Sequence, residues 1–592
     1  MRFAELVALY ERLESTSKRL ELRDLLAGLI RSADPRELPP ILYLSQGQLR
    51  PEYEGIELGM ADSLARKAVA QAVGRSESDV REDQRRSGDL GLTAAELLAH
   101  RPLDPTGSRS VAEVYERLLA LAKAQGPGSQ EVKVQTLLEL LEHATPLEGK
   151  YLVRFVLGQL RLGVREMTLL DALAVAFGTG EKADRARIEA AFNVTSDLGR
   201  VASVLAERGL DGLRDLHLEV GRPIRPMLAE RASDLADLME RMDGRAALEF
   251  KYDGLRVQAH IGADGSVRLF SRRLEETGAQ FPELVRELPK AIVRPPAIVE
   301  GECVPIDPDT DEIRPFQEVS RRRGRKYDLE RMESEVPVAL FLFDVLLSGG
   351  VPIAELPFPE RRSHLESLVR PSERIRLAEQ VVVGSVPEAQ AYFDGAIAAG
   401  GEGIVAKSLA PESSYRAGAR GFWWIKYKRE YTHALADSID GVVVGAFHGR
   451  GRRAGRYGAL LMAVYDPAQD RFESFCKVGS GFDDETLDAL PKRLGPDEVA
   501  ERPAGVESGI VPDRWIRPRL VLEVRGAELS LSPIHRAGAG LLSSGAGLAL
   551  RFPRFTGRFR DDKSPTQATT SAELLALFKT QVKRSTAAPA DA

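Results

Sequence analysis

The chain predicts a multidomain protein of three unlike segments in series: an all-α region, an α+β middle region and a small β-barrel. Three observations carry that reading. Apolar residues recur at helical spacing through residues 1–218. A proline-punctuated stretch, Gly221-Arg222-Pro223-Ile224-Arg225-Pro226, then gives way to runs that read as strands. From Asp440 onward, short strands alternate with glycine turns over a length that suits a small barrel. The 592 residues thus divide at 1–218, 219–433 and 434–584, and the Ala/Pro-rich end, 585–592, is expected to fray.

Composition narrows the function classes. Lys+Arg number 82 against 88 Asp+Glu, a net charge of -6. That total does not exclude a nucleic-acid partner, because local basic stripes bind DNA rather than the average charge. Only Cys303 and Cys476 occur, so a disulfide framework and a four-cysteine zinc site are both excluded. The start, Met1-Arg2-Phe3-Ala4-Glu5, has no signal-peptide core, and no run approaches the ~18 apolar residues of a membrane span. A soluble, cytoplasmic protein without a membrane partner is expected.

In the first segment, Thr93…Glu96 and Ser110…Glu113 have the spacing of capping boxes at helix starts. The second precedes Val111, Val114, Tyr115, Leu118 and Leu121 at helical spacing, with Gly126 as a stop. Two stretches place an arginine beside glycine: Gly158-Gln159-Leu160-Arg161-Leu162-Gly163 and Gly47-Gln48-Leu49-Arg50-Pro51. They are either ordinary helix-edge turns or contacts for DNA phosphates, which position a protein without reading sequence.

The middle segment holds charges where a strand would normally be apolar. Lys251 sits in Leu248-Glu249-Phe250-Lys251-Tyr252-Asp253-Gly254-Leu255-Arg256, next to a tight turn at Gly254. It is either a surface lysine at a turn or an amine made nucleophilic by burial or a second cation. Glu302 lies in Val299-Glu300-Gly301-Glu302-Cys303-Val304, and Glu402 in Gly401-Glu402-Gly403-Ile404-Val405-Ala406-Lys407. Lys426 and Lys428 alternate in Trp424-Ile425-Lys426-Tyr427-Lys428, so both face the same side of a strand. Burying such charges is expensive unless they pair or bind a ligand. Lysines and carboxylates entering one cleft suit phosphoryl chemistry: cations for phosphate oxygens, carboxylates for Mg²⁺. Any one of them could instead be an ordinary salt bridge at a strand end.

Taken in order, Lys251-Tyr252-Asp253-Gly254, Ser271-Arg272-Arg273, Val299-Glu300-Gly301-Glu302, Phe343-Asp344, Glu402-Gly403-Ile404-Val405-Ala406-Lys407 and Trp424-Ile425-Lys426-Tyr427-Lys428 resemble the motif series of ATP-dependent DNA ligases. Leu529-Ser530-Leu531-Ser532-Pro533-Ile534, Arg551-Phe552-Pro553-Arg554-Phe555 and the run from Arg560 to Thr570 are similar to the archaeal and eukaryotic replicative type, also found in bacteria. The resemblance covers nearly the whole chain. It implies a helical DNA-binding domain, an adenylation (nucleotidyltransferase) domain and a C-terminal OB-fold.

The resemblance also implies roles. Lys251 would attack the α-phosphorus of ATP and form lysyl–AMP, with Mg²⁺, Lys426 and Lys428 lowering its pKa and stabilising phosphate charge. Glu249 would accept from the adenine amino group and Phe343 would stack on the ring. Arg272 and Glu302 would hold the ribose side, and Arg256 and Arg420 would meet phosphates. Glu302 and Glu402 are the expected metal carboxylates, for Mg²⁺ or Mn²⁺. Arg551, Arg554, Asp562 and Lys563 would close over ATP about a hinge between Lys428 and Asp440. The basic runs His448–Arg456 and Arg321–Lys326 are either DNA-tracking or simply solvated. The expected partner is nicked double-stranded DNA, bound by a monomer; no sliding-clamp peptide is evident. The rivals are a GTP-dependent capping enzyme, an RNA ligase and a non-catalytic DNA-binding scaffold. An NAD⁺-dependent ligase is disfavoured because its zinc finger needs four cysteines.

Overall fold

The computed structural model describes residues 1–592 except 102–107, 308–312, 315, 321, 323–328, 429–437, 450–454, 527, 533, 542–545, 552 and 587–592. The chain divides into two compact units, Met1–Lys428 and Arg429–Ala592. Among the described residues no helix is long and apolar enough to cross a membrane.

The first part of the larger unit is all α, with twelve helices described between Phe3 and Arg208. One continuous apolar core runs through them, from Phe3 and Leu6 to Leu213 and Leu216. The helix Val111–Lys123 starts on the expected capping box, Ser110 accepting from the Glu113 N–H while Glu113 reaches back. The Thr93…Glu96 box is a correction. Thr93 lies inside the helix Leu90–Leu98, which Asp89 caps by accepting from the N–H groups of Gly91 and Leu92. An aspartate can cap as well as a threonine, so spacing alone picked the wrong residue.

The two arginine-glycine stretches lie at turns that follow helices. Gly158, Arg161 and Gly163 all adopt left-handed backbone conformations, and Arg161, itself exposed, pairs with the buried Asp89, Nη1 to Oδ2 at 2.8 Å. Arg50 lies over the Tyr115 ring and 3.9 Å from Glu54. The proline linker is stitched down by Arg225. Its N–H donates to the Asn193 carbonyl at 2.9 Å, its guanidinium lies over Phe192, and it pairs with Glu166.

The rest of this unit sets helices, among them Pro282–Ala291, Phe358–Leu368 and Val386–Ala398, with two sheets built from β1 (Leu228–Arg231), β2 (Ala246–Lys251), β3 (Leu255–Ile261), β4 (Val267–Ser271), β5 (Ala297–Pro305), β6 (Val338–Ser348), β7 (Val351–Pro352), β8 (Ile375–Leu377), β9 (Gln380–Val383), β10 (Gly403–Ser408) and β11 (Arg420–Lys428). One sheet runs β1-β11-β10-β2-β9; the other runs β4-β3-β5-β6-β7, with β8 beside β6. The α+β expectation holds, and the expected strands at 297–304 and 338–346 are β5 and β6. Arg322, expected in a basic surface run, is instead buried and pairs with Glu283, Nη2 to Oε2 at 3.0 Å. Isolated charges can be buried only when paired, and this one is. The remainder of that run, Arg321 and 323–326, lies outside the described residues.

The smaller unit is rich in strands. β12 (Ile439–His448), β13 (Tyr457–Asp466) and β14 (Arg471–Val478) pair antiparallel in series within an eight-stranded sheet. Val521–Arg525 adds along β12, and Arg554–Phe559 adds to that strand in turn. Its core gathers Val443, Leu460, Phe475, Ile516 and Phe555. Within it, Asp440 holds both Arg560 and Lys563 at 2.6 Å. A helix spans Ser571–Thr586, so the chain is still ordered one residue past the expected start of fraying. The expected hinge and the basic loop at 450–454 fall largely outside the described residues.

Candidate active site

Strand register builds the site. β10 lies between β2 and β11, so Gly403 stands opposite both Lys251 and Lys428. Val405 stands opposite Glu249 and Lys426, and Lys407 opposite Ala247 and Trp424. Residues directly opposite in a sheet share a face, so these three rows form one wall. Gly403 is essential to the first row. Its φ of 151° and a Cβ position 2.2 Å from the Tyr427 carbonyl oxygen leave no room for a side chain. The bare backbone lets two lysines converge on the preceding residue. Glu402 Oε2 lies 2.7 Å from Lys251 Nζ and 2.6 Å from Lys428 Nζ, and the Glu402 N–H donates to the Lys251 carbonyl at 2.8 Å. Gly254 is constrained similarly, because a Cβ there would sit 2.4 Å from the Cys303 carbonyl oxygen.

The facing wall comes from the second sheet, with Arg256 on β3 opposite Glu302 on β5. Between the walls is a cavity of about 470 Å³. Glu249, Lys251, Arg256, Arg272, Glu302, Phe343, Glu402, Arg420, Lys426 and Lys428 all line it. That volume suits a nucleotide-sized ligand.

The electrostatics are lopsided toward cations. Burial lowers Lys426, and Lys428, Lys251, Arg272 and Arg420 push it down further. Among the described residues, Arg272, Arg420 and Lys426 make no ion pair. Burial would raise the Glu402 carboxyl, but Lys251 and Lys428 hold it well below the usual carboxylate range. Burial and the neighbouring Glu402 raise Asp253. Burial pushes Glu302 up to about 7, against the pull of Lys251 and Arg256. Unpaired cations at the rim and reluctant carboxylates within are suited to a ligand carrying several negative charges and a hard cation.

A family model described as "ATP dependent DNA ligase domain" matches residues 226–428, which contain every one of these residues. Models described as "DNA ligase N terminus" and "ATP dependent DNA ligase C terminal region" match residues 2–174 and 453–563. A protein named "DNA ligase 2" from Thermofilum pendens is 48% identical over 591 residues, 98% of each chain. The chain belongs to the ATP-dependent DNA ligases. Sealing nicks in duplex DNA is the standard activity of that family. A "Probable DNA ligase" from Aquifex aeolicus is 44% identical over 98% of this ligase and 99% of its own length. A solved structure titled "Pmar-Lig_Pre." has a TM-score of 0.53 at 17% identity, covering 94% of this ligase and 99% of that chain, a likeness of fold.

All ten candidate residues of the ligase reach the cavity, but Arg256 reaches it with its guanidinium turned to the protein. The Arg256 guanidinium donates to Glu300 Oε2 and to the Met227 carbonyl, each at 2.8 Å, so it is tied into the wall rather than held free for phosphate. Three contributors were given no role from the sequence. Lys407 and Gln380 bind the Glu249 carboxylate, at 2.7 and 2.9 Å, and Asp253 interacts with Glu402. Lys407 stood in plain view within a motif. A lysine closing the apolar run Ile404-Val405-Ala406 was the available signal.

Proposed function

We propose that this ligase works through a covalent nucleotide on Lys251. The observation that carries the reading is Lys251 Nζ in the lining of a nucleotide-sized cavity, 2.7 Å from Glu402, beside Lys426, Arg272 and Arg420, which make no ion pair among the described residues. The amine forms a bond to the α-phosphorus of ATP, the bond to pyrophosphate breaks, and the amine's proton leaves with the displaced charge. AMP then passes to a DNA 5′-phosphate, and attack by the neighbouring 3′-hydroxyl joins the strand and releases AMP.

Glu249 accepts from the adenine amino group and Phe343 stacks on the ring. Arg272 and Glu302 hold the ribose side, and Arg420, Lys426 and Lys428 meet phosphates. The Glu300 tie makes Arg256 a brace beneath Phe343, 5.4 Å from its ring, rather than a phosphate ligand. Glu302 and Glu402 would hold Mg²⁺, or Mn²⁺, with hard oxygen donors. Among the described residues no group of three His, Cys, Asp or Glu is arranged to cage a metal. That suits an ion that keeps several waters and leans on substrate phosphates. When bound, it would neutralise phosphate charge.

The modules are 1–218 for DNA, 219–433 for adenylation and 434–584 as an OB-fold, in a cytoplasmic monomer acting on nicked duplex DNA. The test is mass spectrometry after incubation with ATP and Mg²⁺, then with GTP or NAD⁺. An AMP adduct on Lys251, discharged by nicked duplex DNA, is expected. A GMP adduct would move the reading to capping-type chemistry, and no adduct in folded protein would refute it.

A further inference from the structure

Lys407 has no part in the chemistry above, yet it is among the most thoroughly enclosed lysines of the fold, 1% exposed. Its row across the sheet is otherwise Ala247 and Trp424, and the rings of Trp424, Phe358 and Phe343 lie 4.6, 4.6 and 4.9 Å from its ammonium. A hydrocarbon side chain would fill such a place at less desolvation cost. The lysine therefore answers to specific partners, and it has two. Nζ donates to Glu249 Oε2 at 2.7 Å and to the Phe343 carbonyl at 2.8 Å. Glu249 belongs to β2 in the first sheet, and Phe343 to β6 in the second. One ammonium thus fixes the carboxylate of one wall to the backbone of the other. The remaining oxygen of Glu249 accepts from Gln380 at 2.9 Å and lies 3.6 Å from the Arg362 guanidinium, a longer contact than the 2.7 Å to Lys407.

We propose that Lys407 is a positioning residue for donor-base selection: it holds Glu249 as an acceptor-only carboxylate, at a set distance from the Phe343 ring, so that the pocket takes a 6-aminopurine and rejects a 6-oxopurine. This rests on the reading that Glu249 and Phe343 hold the adenine. A 6-amino group donates to such a carboxylate, whereas a 6-oxo group would face it acceptor to acceptor. Protonated or rotated away, Glu249 would lose that discrimination while the rest of the cavity stayed in place. The effect belongs to the base and not to the phosphates, which separates it from a packing role.

The experiment measures covalent adduct formation by the full chain at subsaturating ATP, purine riboside triphosphate (which lacks the 6-amino group) and GTP. The wild type should favour ATP over purine riboside triphosphate. K407M should lose that preference by about tenfold or more, the range of a hydrogen bond to a charged group, while its rate with purine riboside triphosphate stays near wild type. K407R, which keeps the cation, should retain most of the preference. E249Q should lose it, and adding K407M to E249Q should lower it no further. If K407M does not fold by thermal unfolding, K407Q, also uncharged, carries the same expectation. An unchanged ratio in the uncharged variant overturns the proposal, as does an equal slowing with both donors. If E249Q itself leaves the ratio unchanged, the adenine reading of Glu249 falls first.

Discussion

The helical region and the cleft each gather charged side chains into a cluster, but they balance them differently. In the helical region, Glu11, Glu14 and Asp89 meet Lys150, Arg154 and Arg161. Lys150 lies 2.6 Å from Glu11 and 2.9 Å from Glu14, Arg154 lies 2.7 Å from Glu14 and 2.8 Å from Asp89, and Arg161 lies 2.8 Å from Asp89. Three carboxylates answer three cations with none left over. In the cleft, Lys251, Lys428, Lys426, Arg272 and Arg420 gather around Glu402, Glu302 and Asp253; burial disfavours charge on all three acids, and the cations outweigh it only at Glu402. The first arrangement is complete without a ligand. The second is completed by one. Charge density alone therefore says little about function; the unanswered part of it is informative.

The comparison can be broken most directly at Lys251. K251A should abolish the covalent AMP adduct altogether, read by mass spectrometry, with thermal unfolding near wild type because the residue anchors no core. An adduct persisting on another residue would remove the cleft's central assignment.

The next largest effect is expected at an unpaired cation. K426M should slow adduct formation by ~10²–10³, the range seen when one preorganised charge-stabilising donor is removed. Stability should not fall, since burial among like charges strains Lys426. Single-turnover kinetics together with a melting curve would check both halves.

The balanced cluster should respond in the opposite sense. R154M leaves Asp89 and Glu14 without a shared partner where Arg154 and Asp89 are both 3% exposed. Breaking a buried pair on one side costs about 3–5 kcal/mol. Denaturant unfolding should show that loss, while adduct formation per folded molecule stays unchanged. A kinetic defect without a stability defect would show that the cluster is not merely structural.

The smallest effect sharpens the picture of the carboxylates. Glu302 titrates at about 7 in the folded chain, above its ordinary 4.5. The folded state thus holds this proton more tightly than the unfolded one. The associated stability is fully present below pH 4.5 and is lost as pH rises through about 7. Without metal, E302Q should therefore melt higher than wild type at pH 8, and the difference should shrink toward pH 4.5. Equal melting differences at both pH values would place Glu302 in a better solvated setting than its burial indicates.

Much of this ligase follows from sequence alone, for reasons that are local. Alternation in Trp424 to Lys428 and in Glu249 to Lys251 sets which side chains share a sheet face, and a two-residue period survives any tertiary arrangement. The apolar spacing of residues 1–218 likewise commits that stretch to helices before it packs. The ten candidate residues accordingly arrive at one cavity. What tertiary structure alone decided was partnership. Arg161 turns to Asp89, Arg322 to Glu283 and Arg256 to Glu300, each a carboxylate remote in sequence. Thr93 yields its cap to Asp89. Lys407 becomes the tie between two sheets only because Glu249 and the Phe343 carbonyl converge on it. An ionic side chain carries no local mark of its counter-charge, since the pairing is made through space in a medium that exists only once the chain has folded.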